Sequence, residues 1–497
     1  MTQHLHNTEQ ALAWLRARLS GTVGALRTDS RLVNPGDAFI AWPGAAVDGR
    51  AFLAHARERG ASASLVESAG AEHFDLSGDD VATLAGLKKR TGDIAAAWYQ
   101  HPSRAVPVVA FTGTNGKTSS AWWLADALSK CELSALYPCA LVGTLGIGFL
   151  PELQDTGLTT PDPVRLQAGL RALLEAGARS CSIEASSIGL AEHRLEGLDI
   201  AVAVFTNFTQ DHLDYHGNMD NYWAAKRRLF HWPGLRAAVI NIDDRAGAAL
   251  HTELASVNAL DIWTVSQTQA ARLSASEVQA GSDGLHCMVT EGAERIALQT
   301  ALVGQYNLDN VLGVLAALRA LGVPLAQAVR ACQDLRPVPG RMERLALAGQ
   351  PLVAVDYAHT PDALEKALQA LRPLAKQRGG RLWCVFGCGG NRDAQKRPLM
   401  AASAQNNADC VLVTSDNPRS EDAVAIIQQI LQGAQADPSL RSEPDRAAAI
   451  AMALAEAGDA DVVLIAGKGH EAWQEIANVR RPFSDLEHAR AALERRS

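Results

Sequence analysis

Ala110-Phe111-Thr112-Gly113-Thr114-Asn115-Gly116-Lys117-Thr118 ends the apolar run Val106 to Phe111 and opens an amphipathic one. Beyond it Ala121, Leu124, Ala125, Leu128 and Cys131 recur at helical spacing, so the stretch reads as a loop joining a strand to a helix. Glycines in such a loop let backbone N–H groups close on an anion at the positive end of the helix dipole. Lys117 adds a cation near the outer phosphates of a nucleotide, and the Thr118 hydroxyl is placed to hold Mg2+. ATP or GTP is the expected guest of Gly113, Thr114, Asn115, Gly116, Lys117 and Thr118. The general G-x-x-x-x-G-K-[ST] pattern asks for glycine at 111, where this chain carries Phe. The plainer alternative is a Gly/Asn turn followed by a surface lysine, and the strand-loop-helix context favours the phosphate loop over it.

Outward from this loop the same punctuation recurs. Strand-like runs end in polar or glycine clusters: Glu184 to Ser187, Asn207 to His216, Asp356 to His359, Gly387 to Arg392, Asp416 to Arg419 and Gly467 to Glu471. In open α/β sheets ligands bind outside the carboxyl ends of the strands. The 497 residues suggest about three domains. The first is set at 1–103, ending at His101-Pro102-Ser103-Arg104. The second, 104–337, alternates strands (Ala201 to Phe205, Ala237 to Ile242) with helices (Pro163 to Ala176, Asn221 to Phe230) and predicts a mainly parallel sheet. Short alternating segments near 284–303 suggest an antiparallel appendage. After Arg336-Pro337-Val338-Pro339-Gly340, the third domain, 338–497, predicts a second α/β fold of Rossmann-like type, with strands Leu352 to Val355, Leu382 to Phe386, Val411 to Val413 and Val462 to Ala466. The fold class is therefore α/β in three domains. Two strand-end faces turned toward each other would enclose a cleft.

The net charge is −8, with basic residues dispersed along the chain, which argues against nucleic acid as a partner. The eight cysteines form no C-x-x-C pair and read as reduced core residues rather than disulfides or zinc ligands. No run of apolar residues approaches membrane-spanning length and Met1 to His6 does not begin a signal peptide, so no membrane insertion and a cytoplasmic location are expected.

Behind the phosphate loop, Glu184 stands at a strand end and His212 follows the next strand. Both suit Mg2+ or Mn2+. Taken alone, Glu184 is equally a strand-end surface charge and His212 a packing histidine.

Gly113 to Thr118, Glu184-Ala185-Ser186-Ser187, Asn207 to Asp214, Gly304-Gln305-Tyr306-Asn307-Leu308-Asp309-Asn310 and Pro339-Gly340-Arg341-Met342-Glu343 together resemble the Mur ligases. The likeness runs from about Thr28 to Glu471. It is greatest to the MurE type, through Thr28-Asp29-Ser30-Arg31, Asp356 to Pro361 and Asp416-Asn417-Pro418-Arg419. The resemblance implies a monomeric, cytoplasmic enzyme of cell-wall peptidoglycan synthesis. It would use ATP to join an amino acid to UDP-N-acetylmuramoyl-L-alanyl-D-glutamate through an acyl phosphate. It assigns the UDP-substrate to the first domain, ATP to the second and the amino acid to the third. By motif position Lys117 grips phosphates, Thr118 and Glu184 hold one Mg2+, and His212 holds a second. Lys226 falls where the family carries a lysine carbamylated by CO2, whose carbamate supports the second metal. Spacing alone leaves open the alternative that Lys226 lies on a solvated helix face. A carbamate needs a neutral amine, hence a site that lowers the lysine pKa.

The resemblance further assigns Asn307, Asn310 and Arg341 to ATP, Asp356 to the vicinity of its ribose and His359 to the nucleotide. Thr159, Thr160, Ser186, Glu192 and Arg194 match acceptor-binding positions, and Ser30 matches a uridine contact. The chain departs from the pattern at Ile188, at Glu192 (often glutamine), at Asn391 (often aspartate) and over Pro43 to Val47. An added carboxylate at 192 near an acidic ligand calls for a partner or a proton.

Asp416-Asn417-Pro418-Arg419 resembles the signature of the enzymes that add meso-diaminopimelate. A guanidinium matches a carboxylate through two parallel hydrogen bonds, and diaminopimelate has one carboxylate more than lysine. Arg419 and Arg392 are expected to read carboxylates. Asp416, Asn417 and Glu471 are expected to receive ammonium, with Pro418 and Gly467 completing the pocket. The alternatives are a ligase that adds L-lysine, a folylpolyglutamate synthase-like ligase, and a non-enzymatic phosphate-loop switch. Neither of the last two accounts for the carboxyl-terminal motifs.

Overall fold

The computed structural model describes residues 2–19, 24–44, 47–131, 135–256, 260–281, 284–435 and 437–496. Among them the chain forms three main sheets and a two-stranded hairpin. The first sheet is five-stranded and parallel, in the order Gln3–Leu5, Val81–Leu84, Ala63–Glu67, Ala38–Ala41, Leu26–Arg27.

The strand Val108–Thr112 is buried at every residue. Such a continuous apolar run suits the middle of a parallel sheet covered on both faces. It lies between Ser180–Glu184 and Val202–Phe205, pairing Phe111 with Glu184 and Thr112 with Phe205. The chain proceeds from it to one side and returns to the other, so the order of strands reverses there. A crevice opens at such a switch point. Phe111, where the general motif has glycine, is a fully buried core residue of this strand, and the loop proper begins after it.

One face of the central sheet packs on the helices Lys117–Lys130 and Gln305–Ala320, the other on Pro163–Glu175 and Arg245–Leu254. The expected antiparallel appendage exists, as Leu273–Gly281, Gly284–Glu291 and Glu294–Thr300. It is not separate, however. Leu273 pairs in parallel with Val265, which makes these strands the edge of one eleven-stranded sheet. A meander at the opposite edge, Cys139–Gly143, Gly146–Phe149 and Glu152–Gln154, is not legible in the sequence, because its strands are short and glycine-rich.

The third sheet contains the four expected strands, extended by Glu343–Leu345 and Leu440–Ser442. It has a core of its own on each face. The hairpin Trp473–Ile476 with Val479–Pro482 lies beside it. Among the described residues no helix is long and apolar enough to cross a membrane. Seven cysteines are buried, Cys131 is half-buried, and all are free.

Candidate functional site

The phosphate loop is shaped by Gly116, whose φ of +85° begins the helix Lys117–Lys130. A Cβ there would stand 2.2 Å from Asn310 Oδ1, so the side chain of Asn310 is pressed against the loop. Lys117 Nζ curls over the loop and donates to the carbonyls of Gly113 and Thr114, both at 2.9 Å. The Thr118 hydroxyl donates to Glu184 Oε2 at 2.8 Å. Glu184 also accepts from Thr144 N at 2.7 Å and Thr144 Oγ1 at 3.2 Å. Octahedral Mg2+ with oxygens at about 2.1 Å places adjacent ligands about 3 Å apart, so the Thr118–Glu184 spacing fits such an ion. Among the described residues no group of three or more His, Cys, Asp or Glu side chains is gathered closely enough to hold a metal by itself.

Lys226, on the helix Met219–Arg227, is 1% exposed. Its ammonium donates to the same Gly113 carbonyl at 2.7 Å and lies 4.5 Å from the Tyr222 ring centre. Burial first, and then the Lys117 cation that shares its carbonyl, hold the amine well below the ordinary lysine value, against the pull of Asp211. It is not a solvated helix face. Burial, reinforced by Lys226 and Lys117, lowers the His212 imidazole to about 3 despite Asp211. Its ring is therefore neutral and suited to a metal. His212 has a left-handed backbone, φ +53°, which turns the chain out of the loop into the helical turn Leu213–His216.

The third sheet closes the site from above. Arg341 Nη2 donates to Thr118 Oγ1 at 3.0 Å, its guanidinium lies 4.4 Å from the Tyr357 ring centre, and its Nε is buried without a partner. Asn115 Nδ2 reaches Asp362 at 3.2 Å and Gln210 Nε2 reaches Asp393 at 3.3 Å. The centre of this seam is Asp211, which faces His212 at 3.5 Å, His359 at 3.6 Å and Lys396 at 3.8 Å. Burial works to raise its pKa, but these groups hold the carboxyl well below the usual carboxylate range. Asp211 falls inside the Asn207 to Asp214 motif, where the sequence alone indicates no role for it. Its signal was the step from a strand-end loop into His212, but its partners lie nearly 150 and 185 residues downstream.

A cavity of about 320 Å3 lies under this seam, lined among others by Lys117, Thr118, Glu184, Ser186, His212, Lys226, Asn307, Asn310, Arg341, Asp356 and His359. The predicted nucleotide and metal residues thus meet in one place. Some do so differently from expectation. Asn307 Nδ2 donates to Val303 O at 2.7 Å and Asn310 Nδ2 to Asn307 Oδ1 at 3.4 Å, so these amides also tie down the start of their helix. Asp356 accepts from Met342 N at 2.7 Å and Ala358 N at 2.8 Å, and burial raises its pKa.

Beside the cavity, Thr160 Oγ1 donates to Glu184 O at 2.7 Å and meets Ser186 Oγ at 3.0 Å, while Arg194 Nη1 donates to Thr160 O at 3.0 Å. Thr159 Oγ1 meets Thr144 Oγ1 at 3.1 Å. Glu192 has the partners its charge requires: Lys88 Nζ of the first sheet's helix at 2.7 Å, and the Tyr215 hydroxyl. Burial would raise this carboxyl, but the two bonds hold it below its ordinary value. Ser30 lies apart, with its hydroxyl 3.0 Å from His55 Nδ1. Pro43 and Gly44 are described and Ala45 and Ala46 lie outside the described residues.

The predicted amino-acid residues form a second cluster that does not line the cavity. Asp416 through Arg419 follow the strand Cys410–Val413, and Gly467 through Glu471 follow Val462–Ala466. Gly467, φ +114°, permits no side chain, because a Cβ would stand 2.5 Å from Asp416 Oδ2. Asn417 Nδ2 donates to Glu471 Oε2 at 2.8 Å. Arg419, at φ +55°, donates from Nη1 to Gly390 O at 2.6 Å. Arg392 borders Gly389 together with Arg419, and its Nη1 lies 3.7 Å from Asp214 in the turn Leu213–His216. The Pro418 carbonyl packs against Gly390. Asn391 Oδ1 accepts from Ser420 N and Oγ, fixing the loop against Arg419.

Three family descriptions match consecutive parts of the chain. They are "Mur ligase family, catalytic domain" over 22–99, "Mur ligase middle domain" over 111–318 and "Mur ligase, glutamate ligase domain" over 340–469. A protein of Acidovorax sp. (strain JS42) named UDP-N-acetylmuramoyl-L-alanyl-D-glutamate--2,6-diaminopimelate ligase is 65% identical, over 99% of this chain and 98% of its own. A solved structure of a ligase of that name is 35% identical, with a TM-score of 0.65 and 95% of each chain covered. The ligase MurF from Thermotoga maritima, solved with ADP, is 18% identical with a TM-score of 0.66 over 97% of this chain and 99% of its own. That last likeness concerns the fold alone.

Proposed function

Since this chain belongs to the Mur ligase family, we propose that it joins meso-diaminopimelate to UDP-N-acetylmuramoyl-L-alanyl-D-glutamate at the expense of ATP, in the cytoplasmic assembly of peptidoglycan precursors. The observation that carries this reading is the convergence of Lys117, the Thr118–Glu184 pair, Lys226 and Arg341 on one cavity between two sheets. The first domain, 1–103, takes the UDP end of the acceptor, 104–337 takes ATP, and 338–497 takes the amino acid.

A carboxylate oxygen of the acceptor's glutamyl residue attacks the γ-phosphorus of ATP and ADP leaves. The amine nitrogen, once deprotonated, attacks the resulting acyl phosphate at carbon. Phosphate departs and an amide remains. Three negative phosphates and a carboxylate must approach one another, so positioning and charge neutralisation dominate the barrier. Lys117, over the loop, and Arg341, at Thr118, supply cations for the phosphates, and the loop N–H groups are donors for them. Thr118 and Glu184 would hold Mg2+, whose chemistry there would be neutralisation of phosphate charge. Lys226 would carry a CO2-derived carbamate and, with His212, would hold a second cation. Its burial and depressed amine pKa support this, since only a neutral amine reacts with CO2. Closure of the third sheet over the cavity excludes water from the acyl phosphate.

The test is phosphate release by the purified protein with ATP and Mg2+, adding acceptor and candidate amino acids singly and together. Release that needs both acceptor and diaminopimelate supports the reading. Release that needs neither overturns it.

A further inference from the structure

The end of the third sheet holds a lysine that the ligase reading leaves without a task. Lys468 follows the strand Val462–Ala466 and its side chain is 0% exposed. A buried ammonium without acceptors is strongly disfavoured, and here it has two: Asn417 Oδ1 at 3.0 Å and Glu471 Oε2 at 2.8 Å. The Trp473 ring centre lies 5.4 Å away. Asn417 Oδ1 also accepts from Glu475 N at 3.0 Å, and Asn417 Nδ2 donates to Glu471 Oε2.

The bond directions decide what is left for a ligand. Both donors to Glu471 fall on Oε2, and among the described residues no hydrogen bond reaches Oε1. The Glu471 side chain is 17% exposed while Lys468 is not exposed at all. One edge of the carboxylate is therefore tied to the protein and the other edge is presented outward. The Asn417 amide is fixed by the same lysine, since an ammonium only donates and must face the oxygen.

We propose that Lys468 is a positioning residue of the amino-acid pocket, fixing Asn417 and Glu471 so that Glu471 Oε1 accepts the ammonium of the incoming amino acid. The idea rests on the ligase reading, because it needs an amino-acid substrate at Glu471. Lys468 does not touch that substrate. Its effect passes through the orientation and charge of Glu471.

The test measures KM for diaminopimelate, ATP and the UDP-linked acceptor in wild type, Lys468→Met, Lys468→Gln, Glu471→Gln and the Lys468→Met/Glu471→Gln pair. Lys468→Met is expected to raise KM for diaminopimelate at least tenfold, with the other two constants within about twofold of wild type. Lys468→Gln keeps a donor, should raise it less, and serves if the methionine variant does not fold. In the Glu471→Gln background, loss of Lys468 should add less than about twofold. An unchanged diaminopimelate KM, an equal rise in all three constants, or full multiplicativity in the pair overturns the proposal. If wild type itself shows no release dependent on acceptor and diaminopimelate, the ligase reading fails and not merely the role of Lys468.

Discussion

Lys117 and Lys226 share the carbonyl of Gly113, and two cations on one acceptor are tolerable only if a counter-charge arrives or one loses its proton. On the function proposed above, ATP would supply the first remedy and carbamylation of Lys226 the second. Lys117→Ala and Glu184→Ala should each lower kcat by at least two to three orders of magnitude, on the scale of a lost charge-stabilising group. Far-ultraviolet circular dichroism should stay unchanged. Lys226→Ala should be impaired by a similar factor and partly recover with millimolar short-chain carboxylic acids, which place an anion where the carbamate stood; a fully active alanine variant would refute the carbamate. Arg419 makes a sharper claim. Two charge-assisted hydrogen bonds at about 1.5 kcal/mol each give a preference for diaminopimelate over L-lysine on the order of a hundredfold. Comparison of kcat/KM for the two amino acids in wild type and Arg419→Ala measures it, and equal use by wild type would remove the specificity claim.

Elements matter here through their ends. The strands Cys410–Val413 and Val462–Ala466 deliver Asp416 to Arg419 and Gly467 to Glu471, and one buried ion pair holds both ends. Arg446 donates to Asp485 through Nε and Nη2, each at 2.7 Å, and to the carbonyls of Ser415 at 3.2 Å and Ala466 at 2.9 Å. Neither Arg446 nor Asp485 has any side-chain exposure. Removing one partner strands the other charge in the core, at a cost of about 3–5 kcal/mol. Asp485→Asn should accordingly lower the melting temperature by roughly 10 °C, taking about 2–4 °C per kcal/mol for a domain of this size. The loss should appear in calorimetry as destabilisation of the third domain, and a shift below about 2 °C would show that the pair is not structurally important.

In the whole molecule the side-chain hydrogen bonds and ion pairs that close the site are individually weak and partly solvated. Arg341 to Thr118, Asn115 to Asp362, Gln210 to Asp393, and Asp211 to His359 and Lys396 span the seam, while Val303 and Tyr306 pack beside it against the apolar core of the third sheet. Such a seam can open to admit ligands. Arg341 crosses the seam: its guanidinium donates to the Thr118 hydroxyl, and among the described residues its buried Nε has no partner, which on the proposed function leaves it free to donate to an incoming phosphate. A hydrogen bond to a charged group contributes about 1.5–3 kcal/mol. Arg341→Ala should thus raise KM for ATP by about 10- to 150-fold. Small-angle scattering should also show less compaction on adding nucleotide than wild type shows, and an unchanged KM would place Arg341 outside the nucleotide site.

The sequence by itself determined the central strand, the phosphate loop and the alternation of the third sheet, because each is written in local terms: a continuous apolar run, glycines, then helical spacing. It also placed Glu184, His212 and Arg419 at strand ends, where position along a strand fixes which face of the sheet is reached. It could not settle whether Lys226 was solvated or buried, since both readings have the same helical spacing. Nor could it show that Glu192 is paired with Lys88, that Arg392 extends to Asp214, or that the antiparallel strands join the central sheet. Those depend on which distant segments meet. Only the tertiary structure decided them, because burial and pairing are properties of the packed chain: the same lysine has a normal amine in water and a depressed one beside Lys117 under the third sheet.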